Sequence, residues 1–238
     1  MQTSIMTTNH LPQSRFFPPA ELANRDGLVA VGGQLSPKWL LDAYCQGIFP
    51  WPIEEMDDPT LWWSPDPRAI LELDQLYISK RLRRVLRSGR FEIRFDHDFA
   101  GVIQNCAVGN GREDGTWITP RLMEAYLRLF KLGQAHCVET WQDGKLVGGV
   151  YGVAIAGLFA AESKFYRARD ASKVALAHLV AHLRRRRYRL MDIQQLTPHM
   201  ARLGAIEIPR NEYLRRLAKA LDVPITFGNA PESNSVFD

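Results

Sequence analysis

Three polar residues in otherwise apolar segments are the strongest candidates for chemistry. Glu162 follows the apolar run 158–161, while Asp192 and Gln194 flank Ile193 in a second apolar segment. Residues two apart in a strand face the same side, so Asp192 and Gln194 are expected on one face. Buried carboxylates and amides need hydrogen-bond partners. The pattern therefore fits either structural hydrogen bonding or a catalytic site, and both interpretations stay open.

Four tryptophans lie in turn-rich segments rather than in regular strands or helices: Trp51, Trp62, Trp63 and Trp117. Tryptophans in such segments usually fill the core. Their rings also stack on the unpaired bases of nucleic acids. The four residues are therefore candidates for a nucleoside contact as well as for packing.

Basic residues are clustered in two places, although the net charge is only +4. The first cluster contains no acidic residue, and the second covers residues 184–189. One such cluster alone is typical of a solvated surface, but two in a chain of modest net charge favour a polyanionic partner. The first cluster consists of Lys80, Arg81, Arg83, Arg84, Arg87 and Arg90.

Several common catalytic devices are missing from the sequence. It has no GxxxxGK[ST] phosphate loop, no GxSxG nucleophile motif and no HExxH zinc motif. His178 and His182 have helical spacing but no evident third ligand, so a structural or solvent-exposed role is favoured. The three cysteines form no CxxC pair, which indicates neither a disulfide framework nor a zinc site.

Apolar spacing predicts five helices. Ser36-Pro37 begins the first and Gly47 ends it. Asp170 is the expected N-cap of the longest helix. In the second helix, Lys80, Arg83, Arg84 and Arg87 share the side opposite the apolar residues. The remaining predicted ranges are 79–87, 120–131 and 211–221.

Strand-like runs occupy the segments between these helices. Asp143-Gly144 is a strong hairpin signal between the runs 136–142 and 145–153. Further strands are expected at 91–95, 154–161 and 189–193. Helices and a meandering sheet together predict an α+β fold.

The acidic segment 52–59, bracketed by prolines, predicts a linker. We therefore expect a small N-terminal domain over residues 1–60 and a larger domain over 61–238. A composition of 46% hydrophobic and 24% charged residues is that of an ordinary globular protein. The polar segment 1–13 lacks the apolar stretch of a secretory signal, and no apolar run is long enough to span a membrane. These features favour the cytoplasm.

Eight short motifs occur in an order that resembles the leucyl/phenylalanyl-tRNA–protein transferase family, over about residues 16–217. They are GIFPW (47–51), WWSPDPR (62–68), GTWIT (115–119), LVGGVYG (146–152), ES (162–163), ASK (171–173), LGA (203–205) and IPR (208–210). The tryptophan-rich motifs are the most specific of them.

The resemblance implies that the larger domain is folded like the N-acetyltransferases. It implies transfer of Leu or Phe, with Met as a further candidate, from aminoacyl-tRNA to the N-terminal α-amine of proteins that begin with Lys or Arg. The modified proteins would then be degraded through the N-degron pathway. A monomeric cytoplasmic enzyme without a cofactor or metal is expected. Separately from the resemblance, the basic side of the predicted helix 79–87 lies opposite its apolar residues, so Lys80, Arg83, Arg84 and Arg87 are expected to contact the tRNA backbone.

The resemblance also implies residue roles. Trp51 and Trp117 would contact the 3′-terminal adenosine. Glu162 and Ser163 would border the aminoacyl group, and Asp192 would orient Gln194, which would engage the incoming amine. The walls of the side-chain pocket would include Phe159, Phe165 and Leu176.

Two positions depart from the family pattern. Thr197 stands where an asparagine is common, and its hydroxyl can still hydrogen-bond to substrate. Lys164 stands where a methionine commonly helps to form the pocket. We expect its aliphatic stem to pack in the wall while its ammonium reaches solvent or RNA, so that leucine remains a substrate.

Two other functions compete with this interpretation. The first is an acetyl-CoA-dependent N-acetyltransferase, but the segment 165–173 before the long helix contains no glycine for a pyrophosphate turn. The second is a tRNA-binding module without catalysis. That alternative does not explain why Glu162, Asp192 and Gln194 accompany the aromatic motifs.

Overall fold

The computed structural model describes residues 10–52, 59–108 and 116–229. Most of the predicted linker at 52–59 lies outside the described residues. The strands are β1 Leu28–Val31, β2 Phe49–Pro50, β3 Leu61–Trp63, β4 Arg68–Ile70, β5 Glu92–Phe95, β6 Ala135–Gln142, β7 Lys145–Ile155, β8 Leu158–Tyr166, β9 Leu190–Gln194 and β10 Ile206–Ile208. The helices are α1 Pro37–Cys45, α2 Lys80–Arg87, α3 Phe99–Val108, α4 Pro120–Lys131, α5 Ala171–Arg185, α6 Pro198–Ala201 and α7 Arg210–Leu221.

The N-terminal part combines α1 with a three-stranded antiparallel sheet in the order β1-β3-β2. Pro37 occupies the first turn of α1, where a missing N–H costs no hydrogen bond. The helix buries Leu40, Ala43 and Tyr44 as its apolar spacing predicts. Because β3 belongs to this sheet, the sheets favour a domain boundary after residue 63 rather than at 60/61. The exact division stays a prediction.

The larger part is built on a seven-stranded sheet in the order β10-β4-β9-β8-β7-β6-β5. All neighbouring pairs in it are antiparallel except β8 and β9, which are parallel. A parallel pair requires a crossover, and α5 supplies it between β8 and β9. Helices combined with a largely antiparallel sheet confirm the predicted α+β class with a small N-terminal domain.

The predicted hairpin is confirmed at β6 and β7. Asp143 and Gly144 both have positive φ, 50° and 70°, as the tight turn between twisted strands requires. The next predicted strand, 154–161, was misplaced. β7 continues to Ile155, Ala156 and Gly157 make a turn, and β8 runs from Leu158 to Tyr166.

The predicted helices near residues 37–45, 79–87, 120–131 and 211–221 are confirmed, whereas α3 was missed. The prediction that Asp170 is the N-cap residue of α5 is confirmed by its position, although its side chain does not cap the helix. Asp170 precedes α5, but it has a φ of 70° and makes no capping hydrogen bond. Its carboxylate instead pairs with Arg81 at 2.6 Å and lies 3.7 Å from the ammonium of Lys173. This ion pair ties α2 to the start of α5.

Candidate active site

A cavity opens where the parallel strands β8 and β9 stop pairing. Their registered pairs run from Leu158↔Leu190 to Ala160↔Asp192 and go no further. Beyond that point β8 continues against β7 alone. The side chains that follow, Glu162 on β8 and Gln194 on β9, therefore face a space of about 190 Å³. The cavity is lined by Trp51, Trp117, Val150, Ala161, Glu162, Ser163, Lys164, Leu176, Met191, Ile193, Gln194, Gln195, Thr197 and Met200.

Gln194 is held from two directions. Its backbone N–H donates to Oδ1 of Asp192 at 2.9 Å, and its side-chain Nε2 donates to Oε1 of Glu162 at 3.0 Å. Gln194 has a φ of 58°, which is unfavourable for a residue with a side chain and needs support from its surroundings. The simple strand alternation expected for Asp192 and Gln194 therefore ends at Gln194. Both residues are nevertheless buried.

Glu162 accepts hydrogen bonds from two buried tyrosines in addition to Gln194. The hydroxyl of Tyr44 donates to Oε1 at 2.8 Å, and that of Tyr126 donates to Oε2 at 2.8 Å. The two hydroxyls lie 2.7 Å from each other. Removal of the carboxyl from water raises the pKa of Glu162 to about 7, although both tyrosine donors and Arg68 act to lower it. Its charge can therefore change near neutral pH.

Asp192 belongs to a second buried network. Arg68 donates from Nε to Oδ1 at 2.9 Å and from Nη2 to Oδ2 at 2.6 Å, and the Tyr213 hydroxyl adds a bond to Oδ2 at 2.8 Å. The guanidinium lies between the rings of Phe49 and Tyr213, 4.8 and 4.5 Å from their centroids. Such a bidentate pair fixes the carboxylate and the residues attached to it. Asp192 can therefore hold the backbone of Gln194 in place.

Trp51 and Trp117 form the aromatic end of the cavity. Their rings stack with centroids 4.5 Å apart and an interplanar angle of 15°. Trp51 follows the buried segment 47–50, and the indole of Trp63 donates to the carbonyl of Trp51 at 2.9 Å. Trp62 is completely buried and donates to Gly32, so it is a core residue. Only two of the four candidate tryptophans thus line the cavity.

Another part of the cavity lining is apolar. Leu176, one of the predicted pocket residues, contributes to it together with Val150, Met191 and Met200. The predicted pocket residues Phe159 and Phe165 are completely buried and do not line the described cavity. Phe159 packs in the same core cluster as Leu176 and Met191, which places it behind the wall.

Four further polar residues line the cavity: Ser163, Lys164, Gln195 and Thr197. Ser163 lines the cavity, as does Thr197, whose hydroxyl accepts a bond from the Met200 N–H at 3.2 Å and caps α6. Lys164 is half-buried, and its ammonium lies 3.3 Å from Sδ of Met200. Lys164 thus lies in the cavity wall with its charged end against a thioether. The expectation that this ammonium reaches solvent or RNA stays a prediction.

The basic face of α2 is fully exposed, away from the helix side that buries Leu82. The Ser79 hydroxyl begins the helix by accepting from the Leu82 N–H at 3.1 Å. The four predicted tRNA-binding residues line one shallow depression, with Ser88 beside them. They are Lys80, Arg83, Arg84 and Arg87.

The described part of the chain contains no cluster of His, Cys, Asp and Glu side chains suited to a metal ion. His178 and His182 are both buried in α5, and Nε2 of His182 bonds to the carbonyl of Phe227 at 2.8 Å. Within the same residues, no helix combines the length and apolarity needed to traverse a lipid bilayer.

Sequence reasoning missed the residues that hold the acidic groups. Tyr44 and Tyr126 lie at apolar positions of predicted helices, and neither they nor Arg68 and Tyr213 were identified as candidates. A hydroxyl on an otherwise apolar helix face is a signal of a buried hydrogen bond. The partner could not be identified because Glu162 lies 118 residues from Tyr44 and 36 residues from Tyr126.

Comparison with known proteins assigns the family. The model of the leucyl/phenylalanyl-tRNA protein transferases matches residues 70–218, and that of their N-terminal domain matches residues 33–66. Relatives named leucyl/phenylalanyl-tRNA–protein transferase include those of Aromatoleum aromaticum, 55% identical over 85% of both chains, and of Anaeromyxobacter sp., 50% identical over 94% of both. The chain therefore belongs to the leucyl/phenylalanyl-tRNA protein transferase family, and it is an aminoacyltransferase.

Solved structures give a weaker likeness. A ribosomal-protein-alanine N-acetyltransferase from Brucella melitensis aligns with a TM-score of 0.33 and 20% identity over 47% of this chain and 85% of its own. An N-acetyltransferase-like protein from Streptococcus suis aligns with a TM-score of 0.34 and 15% identity over 76% of this chain and 79% of its own.

Proposed function

We propose that the protein transfers leucine or phenylalanine, with methionine as a further substrate, from aminoacyl-tRNA to the N-terminal α-amine of proteins that begin with Lys or Arg. The modified proteins are then degraded through the N-degron pathway. The enzyme acts as a monomer in the cytoplasm. One observation carries the proposal: a single cavity combines stacked tryptophans, a held amide–carboxylate pair and an apolar wall.

Each part of the donor, the aminoacylated 3′ end of the tRNA, has a matching region in this cavity. The indoles of Trp51 and Trp117 offer flat surfaces for the 3′-terminal adenine, since every base can stack on an aromatic ring. The apolar wall of Val150, Leu176 and Met191 suits a leucine or phenylalanine side chain. Glu162 and Ser163 then border the aminoacyl group between these two ends.

Gln194 is proposed to receive the acceptor amine. Because its Nε2 already donates to Glu162, Oε1 is the atom that can accept a hydrogen bond from the amine N–H. An amide is a weak base, so this contact orients the amine rather than removing its proton. Asp192 acts through the backbone of Gln194, which it holds at 2.9 Å.

The transfer reaction needs little catalysis beyond the positioning of its two reactants. The ester of an aminoacyl-tRNA is already activated, and an N-terminal amine with a pKa near 7.7–8.0 is partly neutral at physiological pH. Attack of the neutral amine on the ester carbonyl forms the peptide bond and breaks the ester C–O bond. The amine proton leaves with the ribose hydroxyl of the tRNA. Positioning of the two reactants can supply much of the rate, so neither ATP nor a metal is required.

The rest of the tRNA is proposed to lie on the exposed basic face of α2. Its cationic side chains Lys80, Arg83, Arg84 and Arg87 share one depression, which suits the phosphate backbone rather than a particular sequence.

The test is transfer from separately charged tRNAs to one model protein with N-terminal Lys, Arg or Ala, without ATP. The expected result is peptide-bonded leucine or phenylalanine on the Lys and Arg acceptors, with little on the Ala acceptor. An enzyme that leaves all acceptors unmodified while consuming acetyl-CoA would refute the proposal.

A further inference from the structure

A second cleft lies on the other side of the short helix α6 from the cavity described above. It has a volume of about 150 Å³ and is formed where the starts of α2 and α5 meet the end of α6. Its walls consist of Tyr77, Ser79, Arg81, Leu82, Asp170, Lys173, His199, Arg202 and Leu203. Nothing in the proposed reaction uses these residues.

The cleft is cationic although it contains one acid. Asp170 is shared by Arg81 and Lys173 and neutralises one positive charge. Arg202 is exposed and forms no ion pair with any residue that the structure describes. Burial, followed by the nearby charges of Lys164, Lys173 and Arg202, lowers the pKa of His199 to about 4, so this imidazole is neutral at physiological pH. Two net positive charges therefore remain, which suits a phosphate group.

An aromatic ring lies beside these charges. Tyr77 is 61% exposed, an unusual exposure for a large aromatic side chain. Its backbone N–H is fixed by the carbonyl of Leu203 at 2.9 Å, which holds the residue at the edge of the cleft. An exposed ring next to basic side chains is the arrangement with which proteins bind unpaired nucleotides, through the base and the phosphate together.

The position of the cleft relates it to the reaction cavity and to α2. Helix α6 presents Thr197 and Met200 to the cavity, and His199 and Arg202 to the cleft. On the other side, α2 contributes Arg81 to the cleft and its remaining basic residues to the exposed depression. The cleft thus adjoins the reaction cavity through α6 and the exposed basic depression through α2.

We propose that this cleft binds an unpaired nucleotide adjoining the 3′-terminal adenosine of the aminoacyl-tRNA, with its phosphate on Arg202 and Lys173 and its base on Tyr77. The inference rests on the proposed function for the identity of the ligand. The cleft residues would thus hold the tRNA segment that joins the tRNA body to the reacting ester, without contacting the body or the ester. Contacts to this phosphate and base would increase the affinity for aminoacyl-tRNA, whatever the sequence of the rest of the tRNA.

The test compares two non-reactive ligands in which an amide replaces the ester. One is leucyl-adenosine, which carries no phosphate, and the other is the leucyl trinucleotide CCA. Their Kd values are measured with the wild type and with the variants Tyr77→Ala and Arg202→Ala. Both cleft side chains are exposed, so the folded structure should survive the substitutions. Arg187→Ala, an exposed arginine of the second basic cluster, is the matched control.

The wild type should bind the trinucleotide more tightly than the nucleoside. Tyr77→Ala should weaken trinucleotide binding roughly 5- to 100-fold, the effect of losing one base stack, and leave nucleoside binding unchanged. Arg202→Ala should reduce the log–log salt slope by about 0.7 for the trinucleotide. Equal effects on both ligands, or none on either, would overturn the inference. Because binding alone is measured, a protein that binds in this way but does not transfer would refute the proposed function and not this site.

Discussion

Gln194 donates its backbone N–H to Asp192 at 2.9 Å and its side-chain amide to Glu162 at 3.0 Å, so two different carboxylates fix one residue. Asp192 is itself fixed by the buried Arg68, and Glu162 by two tyrosines. The left-handed backbone at Gln194 is thereby maintained. Because Nε2 is held by Glu162, the amide oxygen is the side-chain atom left to accept a hydrogen bond, as the proposed orientation of the amine requires.

The raised pKa of Glu162 leads us to expect that the rate of transfer depends on pH. With a pKa of about 7, raised by burial, the carboxylate is mostly ionised at pH 8 and mostly protonated at pH 6. Protonation removes one acceptor site and weakens the hold on Gln194, so the rate should fall about tenfold between pH 8 and pH 6 in addition to the titration of the acceptor amine. Transfer is measured across this range with the wild type and Glu162→Gln. The variant should follow only the amine, and a wild type that also follows only the amine would contradict the role of Glu162.

Tyr44 and Tyr126 should shift that dependence. Their hydroxyls favour the ionised carboxylate, so Tyr44→Phe or Tyr126→Phe should raise the pKa of Glu162 further and move the fall in rate to higher pH. Phenylalanine keeps the ring packing, which limits the loss of stability. Tyr188→Phe is the control, since its buried hydroxyl has no hydrogen-bond partner among the described residues. A shift in the control as large as in the two variants would argue against the network.

The basic face of α2 should control affinity for tRNA in general. Replacement of Lys80, Arg84 and Arg87 by Ala should weaken binding of all tRNAs alike, and each lost phosphate contact should reduce the log–log salt slope by about 0.7–0.9. Replacement of Arg184, Arg187 and Arg189 is the control with equal charge change. Similar losses for both triple variants would indicate a long-range charge effect rather than a binding face.

Lys164 should permit leucine transfer. Its ammonium contacts Met200 at the boundary of the apolar wall, so Lys164→Met should keep leucine as substrate and change the efficiency only modestly. Comparison of wild type and variant with tRNAs charged with Leu, Phe, Met, Arg, Asp and Glu measures the preference. A wild type that prefers Asp or Glu, with a variant that reverts to Leu, would show that the lysine selects acidic substrates.

Local patterns predicted the elements but not the networks between them. The hairpin at Asp143-Gly144 and the helices after Ser79 and Thr119 follow from turn and capping chemistry within a few residues. Short strands such as β4 and β10, three residues each, carry too little periodicity to detect. Their pairing depends on neighbours far along the chain.

The types of residue in the candidate site could be predicted from the sequence, but their spatial arrangement could be predicted only in part. Glu162, Asp192 and Gln194 were identifiable because polar residues in apolar segments require partners. The partners themselves, Arg68 and Tyr44, come from other elements and become evident only in three dimensions. The sequence also could not show whether Phe159 and Phe165 line the pocket. A strand pattern does not distinguish a residue in a cavity wall from one in the core behind it.

The most direct test of the central claim measures chemistry and binding separately in Gln194→Ala. Single-turnover transfer of leucine from Leu-tRNA to an acceptor with N-terminal Arg gives the rate, and an amide-linked Leu-tRNA gives the Kd. Loss of one preorganised polar group should lower the rate roughly 10²–10³-fold, while the Kd stays near that of the wild type. A folded variant that transfers leucine at the wild-type rate would contradict the assignment of this cavity as the site of reaction.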